Sequence, residues 1–367
     1  MKIALINNLY KPYQKGGAER IAEIMTNELT ALGHEVFIIS TRPKIKSISE
    51  EKNVYYLESS YSNLNQHSYI FRLAWQIINL INTKKYLAIK KILATEKPDL
   101  VISHNLMGLG LLTPLAIKQS GAKHIHILHD IQLLHPAGLM YFNQENILNS
   151  LAAKIYQNLS RYFFSFSNNK IIISPSQWLL NLHQQYNLFK DCPNFVIPNP
   201  LLINNKQPVN KEKIFSFIGQ LEYHKGVDLF IAMAPLFPDY KFILVGDGSK
   251  MSEITQKKIN NLEITGRQNS ESVLNIIAKS AAIIVPSRCY ENSPTVIYEA
   301  YTVSTPAIAA NLGGIPELID KLGGLLFKPD SQEDLQQKII QFIKEGAELK
   351  KIIPATNYSQ NILDKLS

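Results

Sequence analysis

The chain has 367 residues, 46% hydrophobic and 19% charged, with 38 Lys/Arg against 30 Asp/Glu and a formal net charge of +8. This length suits two globular domains of similar size, each with material for its own core. Only Cys192 and Cys289 occur, far apart and without metal-ligand spacing, which excludes a disulfide scaffold and leads us to expect a reducing, cytoplasmic setting.

Met1–Ile6 opens as a strand rather than as a signal peptide, and no apolar run reaches the length of a membrane span. The pattern predicts strands near 2–7, 35–40, 54–57, 99–103, 124–128, 170–174 and 194–197. A second set follows near 214–219, 241–246, 262–265, 281–285, 306–309 and 324–327. Helical periodicity falls between them, for example at 18–32, 69–82, 176–187, 225–235, 270–279 and 331–345. Such alternation predicts an α/β protein with parallel sheets covered by helices on both faces. The stretch 198–210 carries three prolines and no periodicity, so it reads as a linker. We expect a first Rossmann-like domain over 1–200, a second over 201–350, and a segment 351–367 returning to the first. Two doubly wound domains facing each other would place the carboxyl ends of both sheets on one cleft, where such folds bind ligands.

Several strand-end loops carry residues suited to a phosphorylated, hydroxyl-rich ligand. Lys15-Gly-Gly-Ala-Glu-Arg20 opens a helix, and its glycines allow a ligand close to the backbone amides. His129 and Asp130 end a strand, so the imidazole can meet a hydroxyl with Asp130 orienting it. His124 and His126 share one face of that strand. They read as sheet residues, because a metal needs three or four convergent ligands, and no metal is expected. Gly219–Gly226 places Lys225 just before a helix, where it can neutralise a diphosphate. Val245-Gly-Asp-Gly248 and Gly266-Arg267 are further strand-end turns.

Pro286–Ala300 is the most informative stretch. Pro286 ends a buried strand; Ser293 is a good N-cap and Pro294 a good first residue for a helix over 294–303. Glu291 then lies in the loop and Glu299 more than one turn into the helix. The amides at the helix start favour an anion between these two hydroxyl acceptors. Asn311–Glu317 supplies another double glycine at the next strand end.

This conjunction and its order resemble the family 4 glycosyltransferases, retaining enzymes of the two-domain GT-B fold (glycosyl transferases group 1), from Lys2 to about Phe342. Glu291 and Glu299 with their Pro-Ser lead-in, and the Gly-Gly-x-Pro-Glu ending at Glu317, are the most specific match. Residues 16–20, 129–130, 174–176 and 197–200 match further family segments. The resemblance implies that Glu291 binds hydroxyls of the transferred sugar, assisted by amides at Asn292 and Ser293. Thr295 and Val296 would present amides to the diphosphate, Glu299 would hold the ribose, and Lys225 the phosphates. Gly16 and Gly17 would close over the donor, His129 would contact the sugar, and Arg267 would line the base pocket. The family usually has Arg where this chain has Gln220, and Gly where it has Ser304. The activity implied is retaining transfer of a hexosyl unit from a nucleotide-diphosphate sugar to an acceptor hydroxyl, in cell-envelope polysaccharide or glycolipid synthesis, with no cofactor or metal.

The acceptor expected is a glycan or lipid-linked glycan. Residues 1–205 hold 20 Lys/Arg against 12 Asp/Glu, while residues 206–367 hold 18 against 18. With the amphipathic 69–82 and the aromatic, basic 151–166, this excess would suit a peripheral contact with an anionic membrane, but ordinary core burial of the aromatics is the favoured reading. No zinc-finger spacing, RNA-binding signature or long basic run suggests a nucleic-acid partner. A Gly-x-Gly-x-x-Gly turn is missing from residues 8–17, which sets a nicotinamide dehydrogenase aside. A sugar-nucleotide epimerase or phosphorylase of the same fold, or a non-catalytic scaffold, stays open as an alternative.

Overall fold

The structure is a computed structural model that describes residues 1–14, 16–44, 51–61, 64, 67–167, 169–200, 209–350 and 357–366. Lys15 and most of the predicted linker, residues 201–208, lie outside the described residues, as do 351–356 and Ser367. The chain divides into two compact units. The first comprises Met1–Leu139, Asn146–Asn199 and Thr356–Ser367; the second comprises Met140–Glu145 and Pro200–Ala355. Met140–Glu145, inside the span expected for the first domain, thus packs with the second.

Among the described residues of the first unit, seven strands form one sheet: β1 Lys2–Leu9, β2 Glu35–Arg42, β3 Val54–Glu58, β4 Leu100–Ser103, β5 Lys123–Ile127, β6 Lys170–Ser174 and β7 Asn194–Val196. Their order is β3-β2-β1-β4-β5-β6-β7, every pair parallel. Ile3, Leu5, Ile102 and Ile125 are fully buried, because helices cover both faces and leave the strands no polar side. The helix Gly17–Ala31 packs beside the helix Tyr358–Leu363, where Ser359 donates from its amide and hydroxyl to Glu28 (both 2.8 Å).

The second unit repeats the plan with β8 Glu212–Ile218, β9 Lys241–Val245, β10 Leu262–Gly266, β11 Ser280–Val285, β12 Ala307–Ala310 and β13 Leu325–Phe327, in the order β10-β9-β8-β11-β12-β13. Phe215, Phe230 and Phe242 centre its core. In each sheet the winding reverses once, between β1 and β4 and between β8 and β11. At a reversal the loops leaving neighbouring strands diverge to opposite faces and open a crevice at the carboxyl ends. This topology fixes where chemistry-bearing loops can meet within each unit.

Predicted and observed strands agree to within two residues at either end. The segment 294–303 differs in detail. Its helix runs Thr295–Thr302 with Pro294 as N-cap, and the Ser293 hydroxyl, expected to cap, instead lies 2.8 Å from the Tyr298 hydroxyl.

Candidate active site

At the reversal of the second sheet, two loops converge. One follows β8 and ends in the short turn Tyr223–Lys225; the other, 286–294, follows β11. Gly226 joins the turn to the helix Val227–Met233 with φ 70°, and a Cβ there would sit 1.8 Å from the Pro286 carbonyl oxygen. Only glycine tolerates both the left-handed backbone and that approach. His224 O accepts from the amides of Arg288 (2.9 Å) and Cys289 (3.1 Å), which seals the two loops together.

Side chains complete the junction. Lys225 Nζ lies 2.5 Å from Glu291 Oε1, and the Ser287 hydroxyl donates to the same oxygen at 3.0 Å. Burial pulls the Lys225 ammonium down, but Glu291 outweighs it and the pKa stands above its ordinary value. Burial likewise pushes the Glu291 carboxyl up, yet Lys225 and Ser287 hold it below the usual range. Both groups are therefore charged at neutral pH. The bonds to Glu291 fall on Oε1; among the described residues none is made to Oε2.

Arg288 anchors the loop from beneath. It is 7% exposed, pairs with both oxygens of Asp228, bonds Asp330 Oδ1 at 2.5 Å, and stacks its guanidinium 4.2 Å from the Tyr223 ring centroid. Burial works against its charge, and the two carboxylates more than compensate. Backbone needs are met by neighbours: Phe142 N donates to Arg288 O, Tyr290 N to Met140 O, and Gly314 N to Glu291 O. Gly313, at φ 66°, lies so close that a Cβ would reach 2.3 Å from Glu291 O. Cys289 is buried and its thiol is pushed up to about 12, so it remains protonated.

Asn292 and Ser293 are buried in the same loop; Thr295 and Val296 open the helix, and Glu299 is half-buried one turn further on. Gln220 and Arg267 are exposed after β8 and β10. Gly246 is required by a close backbone crossing, since a Cβ would meet Gly219 O at 1.8 Å.

In the first unit, His129 follows β5 and is half-buried, with Nε2 2.8 Å from His104 Nδ1. The ring centroids are 5.1 Å apart and the planes 17° apart. That separation exceeds the nitrogen–nitrogen distance by about two ring radii, so the rings meet edge to edge through a well-aligned hydrogen bond. Burial lowers the His129 pKa to about 4, which keeps the ring neutral at pH 7. Asp130, expected to orient His129, accepts instead from the Asn105 amide (2.9 Å) and the Gln132 N–H (2.7 Å). His104, absent from the sequence reading, supplies the orienting contact. His124 Nε2 and His126 Nδ1 both bond the Ser103 hydroxyl at 2.8 Å, a structural use of both rings. Gly16 caps the helix Gly17–Ala31, but its amide donates to Glu19 Oε2 at 2.8 Å, so it is already engaged. Among the described residues, no group of three or more His, Cys, Asp or Glu is arranged to hold a metal. A cavity of about 1190 Å³ opens at the amino ends of β1, β4 and β5, remote from these loops in the same sheet.

From sequence, Ser287 was visible only as part of the Pro-Ser lead-in, and Arg288, Asp228, Asp330 and His104 were assigned no role. Arg288 lay inside the singled-out stretch, but its partners are 60 and 42 residues away and carried no local signal.

The Glycosyltransferase Family 4 model matches residues 15–201, and the Glycosyl transferases group 1 model matches 200–358. The chain is 28% identical to a Klebsiella pneumoniae "uncharacterized 42.6 kDa protein in cps region", over 91% of each chain. It is 22% identical to the putative teichuronic acid biosynthesis glycosyltransferase TuaC of Bacillus subtilis, over 94% of this chain and 90% of that one. Among solved structures it resembles Anabaena HepE in complex with UDP-glucose, with a TM-score of 0.66 and 20% identity over 94% of this chain and 90% of that one.

Proposed function

We propose, for a chain that belongs to the family 4 glycosyltransferases and has their GT-B fold, retaining transfer of a hexosyl unit from a nucleotide-diphosphate sugar to an acceptor hydroxyl. The observation that carries this reading is the state of Glu291. One carboxylate oxygen is fixed by Lys225 and Ser287, while among the described residues the other has no bond and can accept from a sugar hydroxyl. A charged carboxylate held rigidly by one oxygen orients a ligand without reorganising, which is the condition for electrostatic preorganisation.

In this proposal Lys225 and the amides of Thr295 and Val296 stabilise the departing diphosphate, in the role a divalent cation plays elsewhere. Glu299 holds the ribose, and Gly16, Gly17, Gln220, Asn292, Ser293 and Arg267 complete donor binding. His129, neutral and oriented by His104, contacts the transferred sugar by hydrogen bonding rather than by proton transfer. Attack comes from the face the leaving group departs, through an oxocarbenium-like state, which retains configuration.

The contexts named for two relatives, a cps region and teichuronic acid biosynthesis, support an acceptor in envelope polysaccharide or glycolipid synthesis. The UDP-glucose in the Anabaena complex makes UDP-sugars the first donors to test. The experiment is incubation with radiolabelled nucleotide sugars and a cell-envelope extract. Label should move to a glycan or lipid product, and Glu299→Ala should abolish it. No transfer or hydrolysis with any donor, with Glu299→Ala indistinguishable from the parent, would sink the assignment.

A further inference from the structure

Four helices of the first unit carry an unusual combination of charge and exposed apolar side chains. Tyr69–Leu80, Thr83–Glu96, Thr113–Ser120 and Leu151–Ser165 together hold eight Lys/Arg, of which the Lys85 ammonium is buried, and one Asp/Glu. That single acid, Glu96, is occupied by Lys2 (2.6 Å) and the Tyr55 hydroxyl. The helices form one surface. Connections from β3 to β4, β4 to β5 and β5 to β6 all advance in the same direction along the sheet. Right-handed crossovers therefore place their helices on one face. Thr113–Ser120 packs against both Thr83–Glu96 and Leu151–Ser165.

The apolar side chains on this surface are not core residues. Ile70 is 78% exposed, Ile78 63% and Ile81 51%; with Ala74 they make a stripe at helical spacing. Leu151 is 77% exposed and Ile155 51%, with Lys154 and Arg161 on the same helix face. Burial does hold Tyr156, Phe163 and Phe164, so the aromatics of this segment divide: those three are core, while Tyr162 is exposed. Leu87 is exposed, as are Lys84, Lys90 and Lys91 on the same helix. Exposed Ile and Leu interleaved with Lys and nearly free of acid suit an interface where apolar tips enter acyl chains and cations meet phosphate headgroups.

We propose that this face docks on an anionic lipid bilayer, which brings the enzyme to a lipid-linked acceptor. Among the described residues no helix is long and apolar enough to cross a membrane, so the contact lies along the surface. The link to the acceptor rests on the glycosyltransferase reading; the docking itself does not. The charge complementarity selects lipid over an apolar protein partner, since a buried protein interface would desolvate the lysines without supplying headgroup phosphates.

The test is flotation of the whole protein with vesicles of phosphatidylcholine alone or mixed with phosphatidylglycerol, without substrate. Binding should require phosphatidylglycerol and weaken at least about tenfold on raising salt from low to physiological strength. The variant Ile70→Ser/Ile78→Ser/Leu151→Ser should bind at least about tenfold more weakly. Equal binding to neutral vesicles, unchanged binding by the variant, or no vesicle binding overturns the proposal. A concentration-dependent dimer abolished by the same substitutions, without vesicle binding, overturns it in favour of self-association. Donor hydrolysis in the absence of vesicles should be unchanged in the variant. Docking and enzymatic activity can therefore fail separately.

Discussion

Lys225 and Glu291, 66 residues apart in sequence, form a partly buried ion pair at the point where the winding of the second sheet reverses. Each was read separately from the sequence, one as a phosphate ligand and the other as a sugar ligand. Their contact makes them one device. The ammonium keeps the carboxylate ionised despite burial, and the carboxylate keeps the ammonium charged and fixed.

The pair predicts a separation of stability from activity. Glu291→Gln should reduce transfer at least about 100-fold. It should also destabilise the protein by about 3 kcal/mol, because Lys225 is left buried without its counter-charge. Lys225→Met with Glu291→Gln should recover most of the stability and none of the activity. Steady-state transfer assays and urea unfolding of the single and double variants check this. Single variants that keep more than half the parent activity would reduce the pair to a structural clasp.

Two turns predict opposite responses to glycine. Ser304 has φ 55°, a left-handed backbone that costs an L-residue about 1 kcal/mol. Ser304→Gly should therefore raise the thermal midpoint by a few degrees and leave kcat unchanged. Gly226→Ala should do the reverse, since the added Cβ meets the Pro286 carbonyl and forces the Lys225 turn away from Glu291. Calorimetry with parallel transfer assays distinguishes the two; a neutral Gly226→Ala would refute the enforced approach.

Acid lability should concentrate in the first unit. His124, His129 and His183 are lowered by burial to about 3, about 4 and about 4, and His104 and His126 fall well below their ordinary value. Below the unfolded value of 6.5 the unfolded chain binds protons that these folded rings refuse. Each ring thus costs up to about 1.4 kcal/mol per pH unit as the pH falls from 6.5 toward its folded pKa. Asp130 works oppositely. Its carboxyl is raised by burial to about 6, so the folded state binds the extra proton and stability is gained as pH falls from 6 toward 4. Five rings outweigh one carboxyl, and net stability should decline below pH 6.5. Both tryptophans, Trp75 and Trp178, lie in the first unit, so their fluorescence during urea unfolding reports it directly. Asp130→Asn should steepen the decline, and a flat profile from pH 7 to 5 would contradict the burial of these rings.

Much of the architecture was legible because parallel strands buried on both faces read as short, wholly apolar runs. Ile3–Ile6 and Ala282–Val285 announce themselves without reference to partners. Glycines at Gly226 and Gly313 were visible as turns, but their need for close backbone approach was not, since the atoms they meet belong to Pro286 and Glu291. The Ser293 cap failed because a serine signals a helix start only if its side chain is left to the backbone; here the Tyr298 hydroxyl takes it. His129 was found from its strand-end position. Its partner was misassigned to the adjacent Asp130, because adjacency in sequence was the only clue available.

The sequence alone determined two parallel α/β units, the family resemblance and the loops that carry polar residues. These follow from local periodicity, turn chemistry and short motifs, which need no knowledge of distant contacts. The tertiary structure decided which of those residues touch. It joined Lys225 to Glu291, placed Arg288 between Asp228 and Asp330, gave His129 to His104 and left Ile70, Ile78 and Leu151 exposed to solvent. Pairings and exposure of this kind depend on sheet order and on which helix faces a neighbour. Both are set by contacts between segments tens of residues apart, and no local pattern records them.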